Sequence, residues 1–95
     1  MTEPSVAPIR DNIARSRFEL DADGVTAFMN YTLAGNVMSL DHTETPFEAR
    51  GRGIASRLVA GALDQIRARG LKIVPRCPFV RVFVGKHREY RDLVA

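Results

Sequence analysis

One cysteine, Cys77, stands in 95 residues, which rules out an internal disulfide framework and a zinc site built on paired thiolates. Tryptophan is absent and aromatics make up 7% of the chain. Phe18, Phe28, Phe47, Phe79, Phe83, Tyr31 and Tyr90 mostly recur at core-like spacings, so no platform for stacked bases forms. No apolar run approaches the roughly 18 residues of a bilayer span, and the opening MTEPSVAPIRDN has no apolar leader core. These absences lead us to expect a cytoplasmic chain with no membrane partner. The formal net charge is only +3 and the basic residues are dispersed, which suits a small anion better than nucleic acid.

What remains is an ordinary globular composition, 45% hydrophobic and 26% charged, expected to make one domain over 1–95 with a flexible segment at about 1–10. From Ile13 the chain alternates, with Ala14, Ser16, Phe18 and Leu20 on one face and Arg15, Arg17 and Glu19 on the other, the period of a half-buried strand. Asp21-Ala22-Asp23-Gly24 follows. It lacks the further ligands and closing glutamate of a calcium loop, so it reads as a hairpin turn, and no metal is expected.

A second strand carries Val25, Ala27, Met29, Tyr31 and Leu33 on one face and turns at Ala34-Gly35-Asn36. A third, Val37 to about Thr43, puts Met38, Leu40 and His42 together opposite Val37, Ser39 and Asp41. Ile54, Leu58, Ala62 and Ile66, with Val59 and Leu63 beside them, then mark an amphipathic helix of about four turns stopped at Gly70. The strand LKIVP and a second helix bearing Phe79, Val80, Phe83 and Val84 complete the chain. The expected fold is α+β, an antiparallel meander leading into a right-handed βαβ unit with a C-terminal helix.

Between the third strand and the first helix lies FEARGRGIASRL. Glycine costs a helix about 1 kcal/mol relative to alanine, so Gly51 and Gly53 must supply something alanine cannot. At a strand-to-helix turn, glycine permits a sharp bend and lets a ligand approach the backbone amides. The helix N-terminus adds free N–H groups and positive potential, Arg50 and Arg52 add charge, and a diphosphate fits such a site. A Walker-type loop needs a Lys followed by Ser or Thr, and the dinucleotide fingerprint needs a third glycine; both patterns are absent.

Arg50-Gly51-Arg52-Gly53-Ile54-Ala55 resembles the R/Q-x-x-G-x-G/A signature of GNAT-type N-acetyltransferases. DHTETPFEARGRGIASRLV, GLKIVPRCPFV and KHREYRDLV extend the likeness from Ile13 to Val94, and are similar to the minimal, single-domain branch often called YjdJ-like. The resemblance implies acetyl-CoA as co-substrate, held by the amides of Arg50 to Ala55, with Thr43 and Thr45 offering main-chain groups to the pantetheine arm. It implies transfer of an acetyl group to a primary amine, a protein lysine or a small polyamine; a CoA-binding module without catalysis is the alternative. Three positions depart from the pattern: Arg88 replaces a common proline, Arg52 a polar or smaller residue, and Val84 follows Phe83 where larger members place the tyrosine that serves as general acid.

Acetyl transfer needs a base for the amine, donors for developing negative charge and a proton for the departing thiolate. The third strand should end at His42 and the βαβ strand near Cys77, and such C-terminal ends face one crevice in open α/β sheets. His42 is therefore the candidate base and Cys77 the candidate acid or, alternatively, a transient acetyl carrier or a buried apolar residue. His87 and Tyr90 read as a helix cap and a packing aromatic, Tyr90 being a second candidate acid. Acceptor identity and oligomeric state stay open.

Overall fold

The computed structural model describes residues 9–22 and 24–95. Its five strands, β1 (Arg10–Asn12), β2 (Arg17–Ala22), β3 (Val25–Ala34), β4 (Val37–Glu44) and β5 (Lys72–Pro75), form one sheet in the order of the sequence. The first four are antiparallel and β4 to β5 is parallel, joined by helix α1 (Ile54–Ala68), with α2 (Pro78–Lys86) following. The α+β reading, with a meander feeding a βαβ unit, describes this architecture.

The alternating apolar positions build the core. Phe18 and Leu20 on β2, Ala27 and Met29 on β3, and Met38 and Leu40 on β4 have no solvent exposure. They meet Leu58, Val59, Ala62, Leu63 and Ile66 of α1, also fully buried, in one cluster. Each large side chain so buried contributes about 1.5–3 kcal/mol, which is why a 3.6-residue stripe and a two-residue stripe suffice to place α1 on this sheet face. Gly70 ends the α1 segment at φ +71°, as its position after the last apolar residue predicts.

The first strand departs from expectation. Ile13–Arg15 is a single 3-10 turn, with the Asn12 side chain accepting the Arg15 N–H at 3.2 Å and Ser16 in the left-handed region at φ 53°. A local side-chain hydrogen bond has outcompeted the ladder there, leaving Ile13 exposed. Arg10, at the end of the segment expected to be flexible, begins the short strand β1, which pairs with β2; residues 1–8 of that segment lie outside the described residues, as does Asp23 of the expected hairpin turn.

Glu19, read as a solvated strand residue, is 5% exposed. Arg10 Nη2 and Arg17 Nε each donate to its carboxylate at 2.6 Å and Asn12 at 3.0 Å. The hydrogen bonds from Arg10 and Arg17 lead in lowering its pKa to about 2. Because the folded value lies below the unfolded one, the stabilisation is complete above about pH 4.5 and disappears as pH falls toward 2. Glu19→Gln should therefore cost about 1–2 kcal/mol at neutral pH and flatten the acid limb of the stability curve, measured by urea unfolding across pH.

The C-terminal stretch packs more than its polarity suggests. Arg88–Leu93 is 3-10 helix, Tyr90 Oη donates to Asp64 at 2.8 Å, and Val94 bridges Ile73 in parallel.

Candidate active site

β4 and β5 pair from Val37↔Lys72 to Leu40↔Pro75. The N–H groups of Arg76 and Cys77 then both reach the Leu40 carbonyl, at 3.0 and 2.9 Å. Beyond that point β4 continues to Glu44 while the other chain segment turns into α2, so the paired strands part.

A β-bulge decides what β4 presents. Tyr31 faces Leu40, Asn30 faces His42, and Asp41 is the extra residue between them. Period-two alternation put His42 on the face of Met38 and Leu40, and that placement is corrected here. A one-residue insertion flips every later side chain. His42 therefore shares its face with Asn30 and Phe28, its ring centroid 6.4 Å from that of Phe28. Thr43, paired with the buried Met29, takes the inward face instead. Asp41 itself accepts hydrogen bonds from Thr32 Oγ1, at 2.8 Å, and from Ser39 Oγ. No residue type announces such a bulge.

A cavity of about 580 Å³ opens beside the end of β4, within the range of small-ligand sites. His42 and Thr43 border it from the strand and Thr45 from just beyond its end. Arg50, Gly51, Gly53, Ile54 and Ala55 border it from the turn and the start of α1. Of the residues expected around the cofactor, only Arg52 does not line it. Glu44, Ala49, Ser56 and Phe79 complete the wall. Ser56 and Phe79 were not singled out from sequence, since Ser56 sits in a helix and Phe79 counts as core by its spacing; in the structure Phe79 is 39% exposed.

The glycines do what their sequence position asks, with a refinement. Gly51 has φ +83° and Gly53, the N-cap of α1, φ +74°. A Cβ at either would meet no atom within 4 Å, so the chain needs glycine there for backbone conformation and not for room within the protein. Gly53 offers no capping side chain, and the first-turn N–H groups of Ile54, Ala55 and Ser56 have no intrahelical acceptor. Arg50 Nε donates to the Thr45 carbonyl at 3.2 Å and its guanidinium lies 5.6 Å over the Phe47 ring, holding positive charge at the rim.

Thr45 Oγ1 is buried and has no hydrogen-bond partner among the described residues, an arrangement that costs about 1–3 kcal/mol. An acyl-CoA fits this site: first-turn amides and positive helix potential for its pyrophosphate, and the edge of β4 beside Thr43 for its amide-bearing arm.

Cys77 does not border the cavity but lies behind it, 4% exposed, its Sγ 3.5 Å from Thr43 Oγ1. Burial pushes this thiol up, but the Thr43 hydroxyl and the backbone amides of Val80 and Phe79 pull harder, leaving it below the ordinary thiol value. Cys77 is the N-cap of α2, where the backbone N–H groups of Phe79 and Val80 face the thiol and favour its charged form. Thr43→Val should raise the midpoint of the thiolate absorbance near 240 nm, a measurement made unambiguous by the single cysteine. An unchanged midpoint would remove Thr43 from the environment of the thiol.

His42 and Cys77 thus flank one strand end from opposite faces. Tyr90 is elsewhere. Its hydroxyl is bonded to Asp64, burial pushes it up to about 12, and it borders a separate cleft of about 260 Å³ beside His87. His87 acts as the expected helix cap, its Nδ1 2.8 Å from the Phe83 carbonyl and its ring stacked on Phe83.

Comparison with known proteins agrees with this geometry. A family model described as GCN5-related N-acetyl-transferase matches residues 17–93. Protein NATD1 of Mus musculus is 35% identical over 85 residues, covering 84% of this chain and 77% of the mouse protein. Protein NATD1 of Homo sapiens is 37% identical over 62 residues, 64% of this chain and 55% of the human one. A solution structure of a GCN5-like protein from Staphylococcus aureus superposes with a TM-score of 0.66 at 23% identity, over 97% of this chain and 91% of that one, a likeness of fold. With the glycine turn, the parted strands and the matched span all in one place, the chain belongs to the GCN5-related N-acetyltransferase family.

Proposed function

We propose that the protein is an acetyl-CoA-dependent N-acetyltransferase acting on a primary amine, either an exposed protein lysine or a small polyamine. The observation that carries this is the positive-φ turn at Gly51 and Gly53 opening α1 into a cavity that Thr43 and Thr45 also line. The amides of Gly51 to Ala55 hold the pyrophosphate, with Arg50, whose own N–H is bonded to the Phe47 carbonyl at 3.2 Å, and Arg52 adding charge, while Thr43 and Thr45 orient the pantetheine arm. Acetyl-CoA supplies the activated acyl group: the amine nitrogen forms the new C–N bond, the C–S bond breaks, and CoA leaves as its thiol.

His42 accepts the proton of the amine, directly or through one water, so that a neutral nitrogen attacks. Cys77 supplies the proton for the departing sulfur through the Thr43 hydroxyl, which borders the cavity and lies 3.5 Å from Sγ, and its depressed pKa makes it a better donor than an ordinary thiol. Direct transfer is favoured over an acetyl-cysteine because the thiol lies behind Thr43, outside the cavity wall.

The test is an acetyl-transfer assay on a panel of polyamines and lysine peptides, followed by mass spectrometry of acceptor and enzyme. Acetylated amine with unmodified Cys77 is the expected result. Saturable acetyl-CoA binding with no acetylated acceptor would favour a CoA-binding module, and an acetyl thioester on Cys77 would replace direct transfer by a relay.

A further inference from the structure

The bulge at Asp41 has a second effect on the strand end. Beyond it, His42 and Glu44 emerge on the same face of β4, paired with Asn30 and Phe28 of β3. Both side chains are more than half exposed, yet His42 Nε2 lies 3.1 Å from Glu44 Oε1. Both residues also line the 580 Å³ cavity.

A carboxylate only accepts hydrogen bonds, so the imidazole nitrogen facing it must carry the proton. In the neutral ring the lone pair then resides on Nδ1. We propose that Glu44 is a positioning residue for the transfer reaction: it selects the Nε2–H tautomer of His42, turns Nδ1 into the proton-accepting nitrogen, and pairs with the imidazolium once Nδ1 is protonated. This rests on the reading of His42 as the proton acceptor.

The proton balance is simple. One proton passes from the amine nitrogen to Nδ1, Glu44 keeps its negative charge throughout, and the imidazolium releases that proton to solvent before the next turnover. An exposed pair of this kind adds little to folding stability, so its removal should register in the chemistry and leave the fold intact. The pairing also tightens when an acceptor covers the site and excludes water, because the same charges then interact in a lower dielectric.

Two readouts test it on the full chain. The first is the ¹⁵N spectrum of histidine-labelled protein at a pH where the ring is neutral. His42 should show a protonated Nε2 and a bare Nδ1 in the unaltered protein, and a tautomer mixture in Glu44→Ala. A protonated Nδ1, or a spectrum unchanged by the substitution, overturns the proposal. The second is steady-state kinetics at saturating amine. Glu44→Ala should lower kcat about tenfold with the KM for acetyl-CoA changed less than twofold, and Glu44→Gln, which keeps an acceptor oxygen, should recover part of that loss. An unchanged kcat in Glu44→Ala also overturns it, as does a Glu44→Ala loss far exceeding that of His42→Ala, which would make Glu44 itself the base. Absence of turnover in the unaltered protein would strike the acetyltransferase reading, while the tautomer result would still decide the role of Glu44.

Discussion

Gly53→Val is expected to raise the acetyl-CoA Kd at least tenfold and to lower stability at the same time. Gly53 is the N-cap of α1 at φ +74°, a region where a β-branched residue is strained by about 1–3 kcal/mol. No neighbouring atom would obstruct the new side chain, so the damage comes from the backbone: the turn relaxes, and the amides of Ile54 and Ala55 lose their shared direction. Two controls separate binding from folding. Gly35 sits between β3 and β4 at φ +62° with equally open surroundings, far from the cavity wall. Gly35→Val should cost comparable stability, read by urea unfolding, and leave acetyl-CoA affinity unchanged. Gly53→Asn, whose side chain tolerates left-handed conformations better than most, should keep more stability and more affinity than Gly53→Val. A valine variant with unaltered Kd would show that the turn is merely structural.

His42→Ala is expected to lower kcat about 100-fold, the lower end of what a positioned acid or base contributes, with the acetyl-CoA Kd within twofold of the original. His42 is exposed on the outer face of β4, its ring beside the Glu44 carboxylate and tilted against Phe28. Truncation therefore leaves no buried cavity, and stability should fall by less than about 0.5 kcal/mol, as for most surface positions. A loss confined to kcat assigns the residue to proton transfer. Simultaneous loss of affinity would mean that the ring supports the cavity wall, and an unchanged kcat would move the base elsewhere.

The sheet and the first helix were legible in the sequence because period-two and period-3.6 stripes at Phe18 to Leu20, Val25 to Leu40 and Ile54 to Ile66 leave no competing way to bury those side chains. The glycine turn was legible too, since glycines between a strand and a helix mark a sharp bend, and the structure realises it with positive φ at Gly51 and Gly53. Three features were not. The 3-10 turn at Ile13–Arg15 depends on one Asn12 side chain taking a backbone N–H, and Asn12 is equally compatible with a strand. Glu19 looks solvated in any alternation scheme, and its burial follows from β1 folding back to lay Arg10 over it.

The bulge at Asp41 mattered most for the site. It moved His42 to the opposite face from the one the alternation predicts and aimed Thr43 at Cys77. His42, Thr43 and Cys77 all sit around the strand end, but their division between two faces comes from hydrogen-bond register, which residue types alone do not encode. Phe79 and Ser56 entered the cavity wall for a related reason: how far β4 and β5 separate sets what the starts of the two helices can face.

The most direct measurement is an amide chemical-shift titration of the ¹⁵N-labelled protein with acetyl-CoA at two salt concentrations. Saturable shifts centred on Gly51, Gly53, Ile54 and Ala55, with a second group at Thr43 and Thr45, are the predicted result. No saturable shift, or shifts confined to the cleft beside His87 and Tyr90, would contradict the assignment of the glycine turn as the pyrophosphate site.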